Sequence, residues 1–135
     1  YLPIDAASIP LGDPAPVAGT AFDFTTAKAV TGDVDHNFCL DPASATPACT
    51  LRGGHLTLDI TTDQPGLQIY DAGRNDSTPH LGLSGAPYGP VPGIAIEPQF
   101  WPDTPNKPSY PSSLLHAGQT YLQTSQFRIS RQHGS

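Results

Sequence analysis

Between its turn-forming residues this chain leaves room for little but short strands. It carries 16 prolines and 13 glycines in 135 residues. They are scattered between short apolar or alternating runs rather than gathered into blocks. That distribution marks them as turn residues of a β protein and not as a signal of disorder. The opening segment, Tyr1–Val17, has four prolines and no helical period, so it reads as extended pieces and turns. The length suffices for one domain with a real core.

The most constrained stretch is Gly93–Asn106, GIAIEPQFWPDTPN. Ile94-Ala95-Ile96 predicts a strand buried on both faces, and Pro98 predicts that it ends at Glu97. Phe100 and Trp101, the single Trp, follow at once, and Pro98, Pro102, Pro105 and Pro108 stiffen the segment. A carboxylate with a partly apolar shell can have its pKa raised towards working pH, which suits a general base. The alternative for Glu97 is a rim carboxylate at a strand end, paired or solvated.

Read in order, the chain predicts strands at Gly19–Phe24, from Phe38 onward, at His55–Thr61, at Leu67–Tyr70, at Ser113–Gly118 and at Tyr121–Ser130. Thr25–Thr31 fits a brief helix or a loop. The clearest strand is HLTLDIT, where Leu56, Leu58 and Ile60 alternate with Thr57, Asp59 and Thr61. Gly53-Gly54 just before it is a hairpin signal. Asp33 to Asn37 reads as polar and turn-like. Asp35, His36 and Asn37 there suit either hydroxyl recognition or a turn that caps its own backbone. Gln68 faces opposite to Leu67 and Ile69, lining a polar cleft or a solvated sheet face. Asp71–Pro92 is a long polar loop, and loops of that length are functional or mobile. Residues 131–135 read as a frayed tail. The fold class is all-β, with a sandwich as its natural form.

Net charge is -6 with pI near 5.0, and charged residues make up 13% of the chain. With no basic run and no excess of Lys or Arg, neither nucleic acid nor an anionic membrane surface is an expected partner. No run of about 18 apolar residues predicts a transmembrane helix. No signal peptide is visible. The chain opens at Tyr1 without an initiator Met, so an upstream segment is expected. Cys39 and Cys49 are either a disulfide or two reduced, packed thiols. The five histidines are dispersed with no metal-ligand spacing.

Several words of the chain, in order, resemble the C-terminal part of the aldose 1-epimerase (galactose mutarotase) family. They are YLPID, PVAGTAFDF, DVDHNFCL, TTDQPGLQIY and GIAIEPQFWPDTPNKPSYPSSLLHAGQTY, followed by a closing strand. They cover Tyr1 to about Ser130. Together DHNF, TDQPGLQ-Y and E-x-Q-x-x-P-D-x-x-N are far more specific than any one short motif.

The resemblance implies that these residues are the C-terminal portion of one large antiparallel β-sandwich, the mutarotase-like supersandwich. Its N-terminal portion would be supplied as a separate or cleaved chain. It implies that Glu97 is the base that takes the proton from the anomeric hydroxyl. Asp35 and Gln68 would contact sugar hydroxyls, with Phe100 and Trp101 in the cleft wall. The implied substrate is a free aldose such as galactose or glucose, with no cofactor and no metal. One departure stands out. The family's general acid is a histidine in a word resembling N-H-T-Y-F-N, and no such word occurs here. His36 belongs to DHNF, and His55, His80, His116 and His133 do not match the acid either. The competing expectation is a carbohydrate-binding module that keeps Asp35 and Gln68 and turns nothing over. Family habit suggests the cytoplasm, and reduced cysteines would agree.

Overall fold

A computed structural model describes residues 1–41, 44 and 46–131. Of the tail expected at 131–135, Arg131 belongs instead to the last strand; the rest, with His133, lies outside the described residues, as does part of the loop before Cys49. Among the described residues there are six strands: β1 (Asp35–Cys39), β2 (Cys49–Gly53), β3 (Leu56–Thr62), β4 (Gly66–Tyr70), β5 (Ala95–Gln99) and β6 (Ser125–Arg131). The one helical element among them is a single 3-10 turn, Thr104–Asn106. One sheet has the order β1-β4-β5, the other β2-β3-β6. The chain divides into two units, Tyr1–Phe38 with Gln68–Glu97, and Cys39–Leu67 with Pro98–Ser135.

The first unit is packed around aromatic rings. Phe22 lies 4.5 Å from Tyr1 and 4.1 Å from His36, ring centre to ring centre. Phe38 closes the cluster at 6.5 Å from Phe22 and 6.1 Å from Phe24. Such tilted and edge contacts favour aromatic pairs beyond the area they bury. Leu2 and Val34 complete this core. The segment expected as a strand at Gly19–Phe24 is instead a set of turns. Thr20 Oγ1 donates to the Val17 carbonyl and accepts from the Phe22 N–H, which curls the backbone and keeps it out of a ladder. Thr25–Thr31 forms no helix.

The second unit is built on the antiparallel β2-β3-β6 sheet. Gly53 pairs with Leu56, so Gly54 and His55 make a two-residue hairpin. Gly54 has φ of 55°, the left-handed geometry such turns require. Cys49, Ile60 and Phe127 stand across from one another, as do Leu51, Leu58 and Ile129. Ile60 is fully buried, as its alternating pattern requires. The last strand starts at Ser125 rather than at Tyr121. Ser113–Gly118 is not a strand, and Leu114 and Leu115 are exposed. An apolar run becomes a strand only where a neighbour accepts its backbone bonds, and here His116 and Gln119 close a local turn instead.

Two expectations for β5 are corrected. The strand does not end at Glu97 but runs through Pro98 to Gln99. It is the last strand of its sheet, where a missing N–H interrupts no ladder. Nor is it buried on both faces: Ala95 and Glu97 are exposed and Ile96 is half-buried. β1 likewise starts earlier than expected, because Asp35, His36 and Asn37 belong to the strand rather than to a turn.

Candidate functional site

Asp35 opens β1, Gln68 sits in the middle of β4 and Glu97 in the middle of β5. One sheet therefore carries all three, with β4 central. Asp35 and Gln68 are brought into direct contact across 33 positions of sequence: Gln68 Nε2 donates to Asp35 Oδ1 at 2.8 Å. A carboxylate only accepts, so this contact fixes the orientation of the Gln68 amide. It leaves Asp35 Oδ2 and Gln68 Oε1 for a further hydrogen bond each. Two acceptors held side by side suit two hydroxyl donors, the pattern a sugar presents. Asp35 is exposed and Gln68 half-buried, so a ligand can reach the pair.

Glu97 is exposed, and its side chain makes no hydrogen bond or ion pair among the described residues. A group this exposed does not meet the expectation of a partly apolar shell. A carboxylate with no committed partner is nonetheless open to take a proton from a bound hydroxyl.

His36, beside Asp35, has its ring in the Phe22 cluster, and its Nδ1 accepts the Asp35 N–H at 3.3 Å. Burial pushes its pKa below the ordinary 6.5, and the neighbouring Asp35 charge opposes that. His36 is thus held neutral as a structural ring.

Phe100 and Trp101 fall in the second unit. Trp101 Nε1 donates to the Pro65 carbonyl at 2.7 Å, and its ring meets Tyr110 edge-on at 5.0 Å. Both ends of the indole are engaged within the unit. Phe100 packs 6.1 Å from Tyr121, and the two rings line an open cavity of about 730 Å³ with Asp63, Gln64 and Leu122. Cys39 and Cys49 are not joined in a disulfide, so that alternative is not realised. Burial raises the Cys49 thiol pKa above its ordinary value, and the Asp59 charge adds to that. Among the described residues no cluster of three His, Cys, Asp or Glu side chains could hold a metal ion. None of their helices is long and apolar enough to cross a membrane.

One residue near the site escaped the sequence reading. Asp71, just past β4, is 1% exposed. Its Oδ2 accepts the N–H groups of Gly32 and Val34, both at 3.0 Å, and its Oδ1 that of Gly73 at 3.0 Å. Its own N–H donates to the Val34 carbonyl. Only the Gly73 bond, an Asp-turn of two residues, has a local signal in sequence.

Over residues 1–128 the sequence matches the aldose 1-epimerase family. The chain belongs to that family. It is 37% identical to galactose mutarotase of Mus musculus over 142 residues, covering 96% of this chain and 41% of that protein. It is 34% identical to aldose 1-epimerase of Haemophilus influenzae and 31% to that of Escherichia coli, each covering 96% of this chain and 42% of the relative. A crystal structure of a GalM/aldose epimerase homologue from C. elegans superposes with a TM-score of 0.86 at 24% identity, covering 98% of this chain and 43% of that one. The fold is therefore the all-β fold of that homologue, as expected. The chain spans about two fifths of the length of the curated relatives it matches.

Proposed function

We propose that the protein carrying this chain interconverts the α and β anomers of free aldohexoses such as galactose and glucose. Asp35 Oδ2 and Gln68 Oε1 accept hydroxyl protons of the bound sugar. Glu97 takes the proton from the C1 hydroxyl while a general acid protonates the ring oxygen. The C1–O5 bond breaks and C1 becomes an aldehyde. Rotation about C1–C2 then presents the other carbonyl face, and the ring closes with the two proton-transfer groups in exchanged roles. A positioned acid or base contributes roughly 10²–10⁴-fold each. The acid is assigned to the part of the protein beyond these residues, because no N-H-T-Y-F-N word occurs in them and the chain matches only 41% of its relatives' length. Phe100 is assigned to the sugar-facing wall. It follows Glu97 by three residues in sequence. Trp101 joins the same wall as its braced neighbour.

The observation that carries this reading is the bonded Asp35–Gln68 pair on the sheet that also bears the uncommitted Glu97. Polarimetry of freshly dissolved α-D-galactose, with the full-length protein and its Glu97→Gln variant, tests it. Wild type should accelerate the change in rotation, and the variant should lose about 10²–10⁴-fold of the rate. An unchanged rate in the variant would remove Glu97 as the base. Sugar binding without acceleration by the wild type would favour the non-catalytic binding module.

A further inference from the structure

We propose that Asp71 is a positioning residue for sugar binding, which it serves by fixing the start of β1 and so the place of Asp35. This rests on the reading of Asp35 and Gln68 as sugar contacts. Asp35 is the first residue of its strand and is exposed, so nothing in its own burial holds it. What precedes it is held from the end of the neighbouring central strand, β4. The Asp71 carboxyl, buried at the exit of β4, grips Gly32 and Val34, the third and the first residues before Asp35. The Val34 carbonyl accepts the Asp71 N–H in return. Asp71 thus makes three bonds to the lead-in of β1, and it lies three residues beyond Gln68 in the chain. The two members of the sugar-reading pair are referenced to one buried carboxyl group.

The backbone around the grip allows little play. Gly32 has φ of 96°, and a Cβ on Gly73 would collide with the backbone O, C and Cα of Gly32. The two chains run too close there for any side chain, so Asp71 closes a junction that cannot slide without breaking contact. The position of Asp35 relative to Gln68 is set by bonds that have no part in contacting the sugar.

The test uses the full-length protein. In Asp71→Asn, the amide nitrogen is a donor where a second acceptor is needed, so it faces an N–H it cannot satisfy. If Asp71 positions a group that binds substrate in ground and transition state alike, KM for galactose rises while kcat holds. The expected rise is about tenfold or more, the size of a lost charge-assisted hydrogen bond. The same substitution placed on an Asp35→Ala background should raise KM no further. Equal loss in both backgrounds, or a lowered kcat at unchanged KM, would mean a purely structural role and overturn the proposal. Should the variant fail to fold, hydrogen exchange of the wild type decides. Saturating galactose should slow exchange of the Gly32 and Val34 amides, because coupling between sites is reciprocal; unchanged exchange overturns the proposal. Glu97→Gln, assayed in parallel, separates the two ideas. Loss there with normal KM in Asp71→Asn leaves the epimerase reading standing and removes this one. A wild type that neither binds nor turns over the sugar removes both.

Discussion

Replacing Gly73 by Ala should unfold the protein more readily than any single added methyl has a general right to do. The new Cβ would fall under the 3.0 Å that such atoms keep from backbone, against three atoms of Gly32. No rotamer change relieves a clash between two main chains, so one of them must move. Gly32 and Gly73 are both bonded to the same buried carboxyl, Gly32 to Oδ2 and Gly73 to Oδ1. Asp71 cannot follow both, because its N–H is fixed on the Val34 carbonyl. Losing one of these bonds costs about 1.5–3 kcal/mol, and losing both about 3–6 kcal/mol. That is a large share of the roughly 5–15 kcal/mol that holds a typical domain together. Urea denaturation of wild type and variant, followed by fluorescence, measures it as a fall in midpoint at constant slope. Gly93→Ala is the control, since nothing lies within 4 Å of its added Cβ and its φ is not left-handed. Its midpoint should hold or rise slightly. A Gly73→Ala variant within about 0.5 kcal/mol of wild type, the range of an ordinary surface change, would refute the close contact and the clamp built on it.

Two further outcomes follow from the same packing. His36 has its folded pKa lowered below 6.5 chiefly by burial, so the unfolded chain takes up the proton first as pH falls. Its contribution to stability is full above about pH 6.5 and is lost as pH drops towards the lowered folded value. Thermal unfolding of His36→Phe, at pH 7.5 and at pH 5.5, should show a smaller loss on acidification than wild type; an equal loss would show that the ring is not held neutral in the Phe22 cluster. Trp101→Phe keeps a ring against Tyr110 but removes the donor to the Pro65 carbonyl. A urea midpoint shift worth about 1–2 kcal/mol is expected, whereas an unshifted midpoint would show that the indole N–H is not committed there.

What was legible in the sequence was whatever is decided within a few residues. The alternation of Leu56, Leu58 and Ile60 gave β3, and Gly53-Gly54 gave the hairpin, because both signals are complete where they stand. Strand limits were misread for the opposite reason. Pro98 stops a strand only where its N–H would have been used, and whether β5 lies at an edge is a property of the sheet. Leu114 and Leu115 look like strand residues but pair with no strand among the described residues. The exposure of Glu97 was equally invisible, since exposure is settled by what packs over a strand and not by its neighbours in sequence. The site divides along the same line. Gln68 was identifiable as a polar residue in a strand-like run and Asp35 as one in a turn-like stretch, and the family's words singled both out. Their hydrogen bond joins positions 33 apart, a relation that no local pattern encodes. Asp71 shows the limit most sharply. Its bond to Gly73 is a short-range turn that any Asp before a Gly can make, whereas its bonds to Gly32 and Val34 span 39 and 37 positions. A buried acid with only backbone partners leaves no trace in charge pattern or hydrophobic period. It becomes visible only when the sheet is assembled, and it lies where the strand bearing Gln68 meets the approach to the strand bearing Asp35. The chemistry of such a site is written in a few residues that motifs can find. The placement of those residues is written in backbone contacts, and these must be sought in the folded chain.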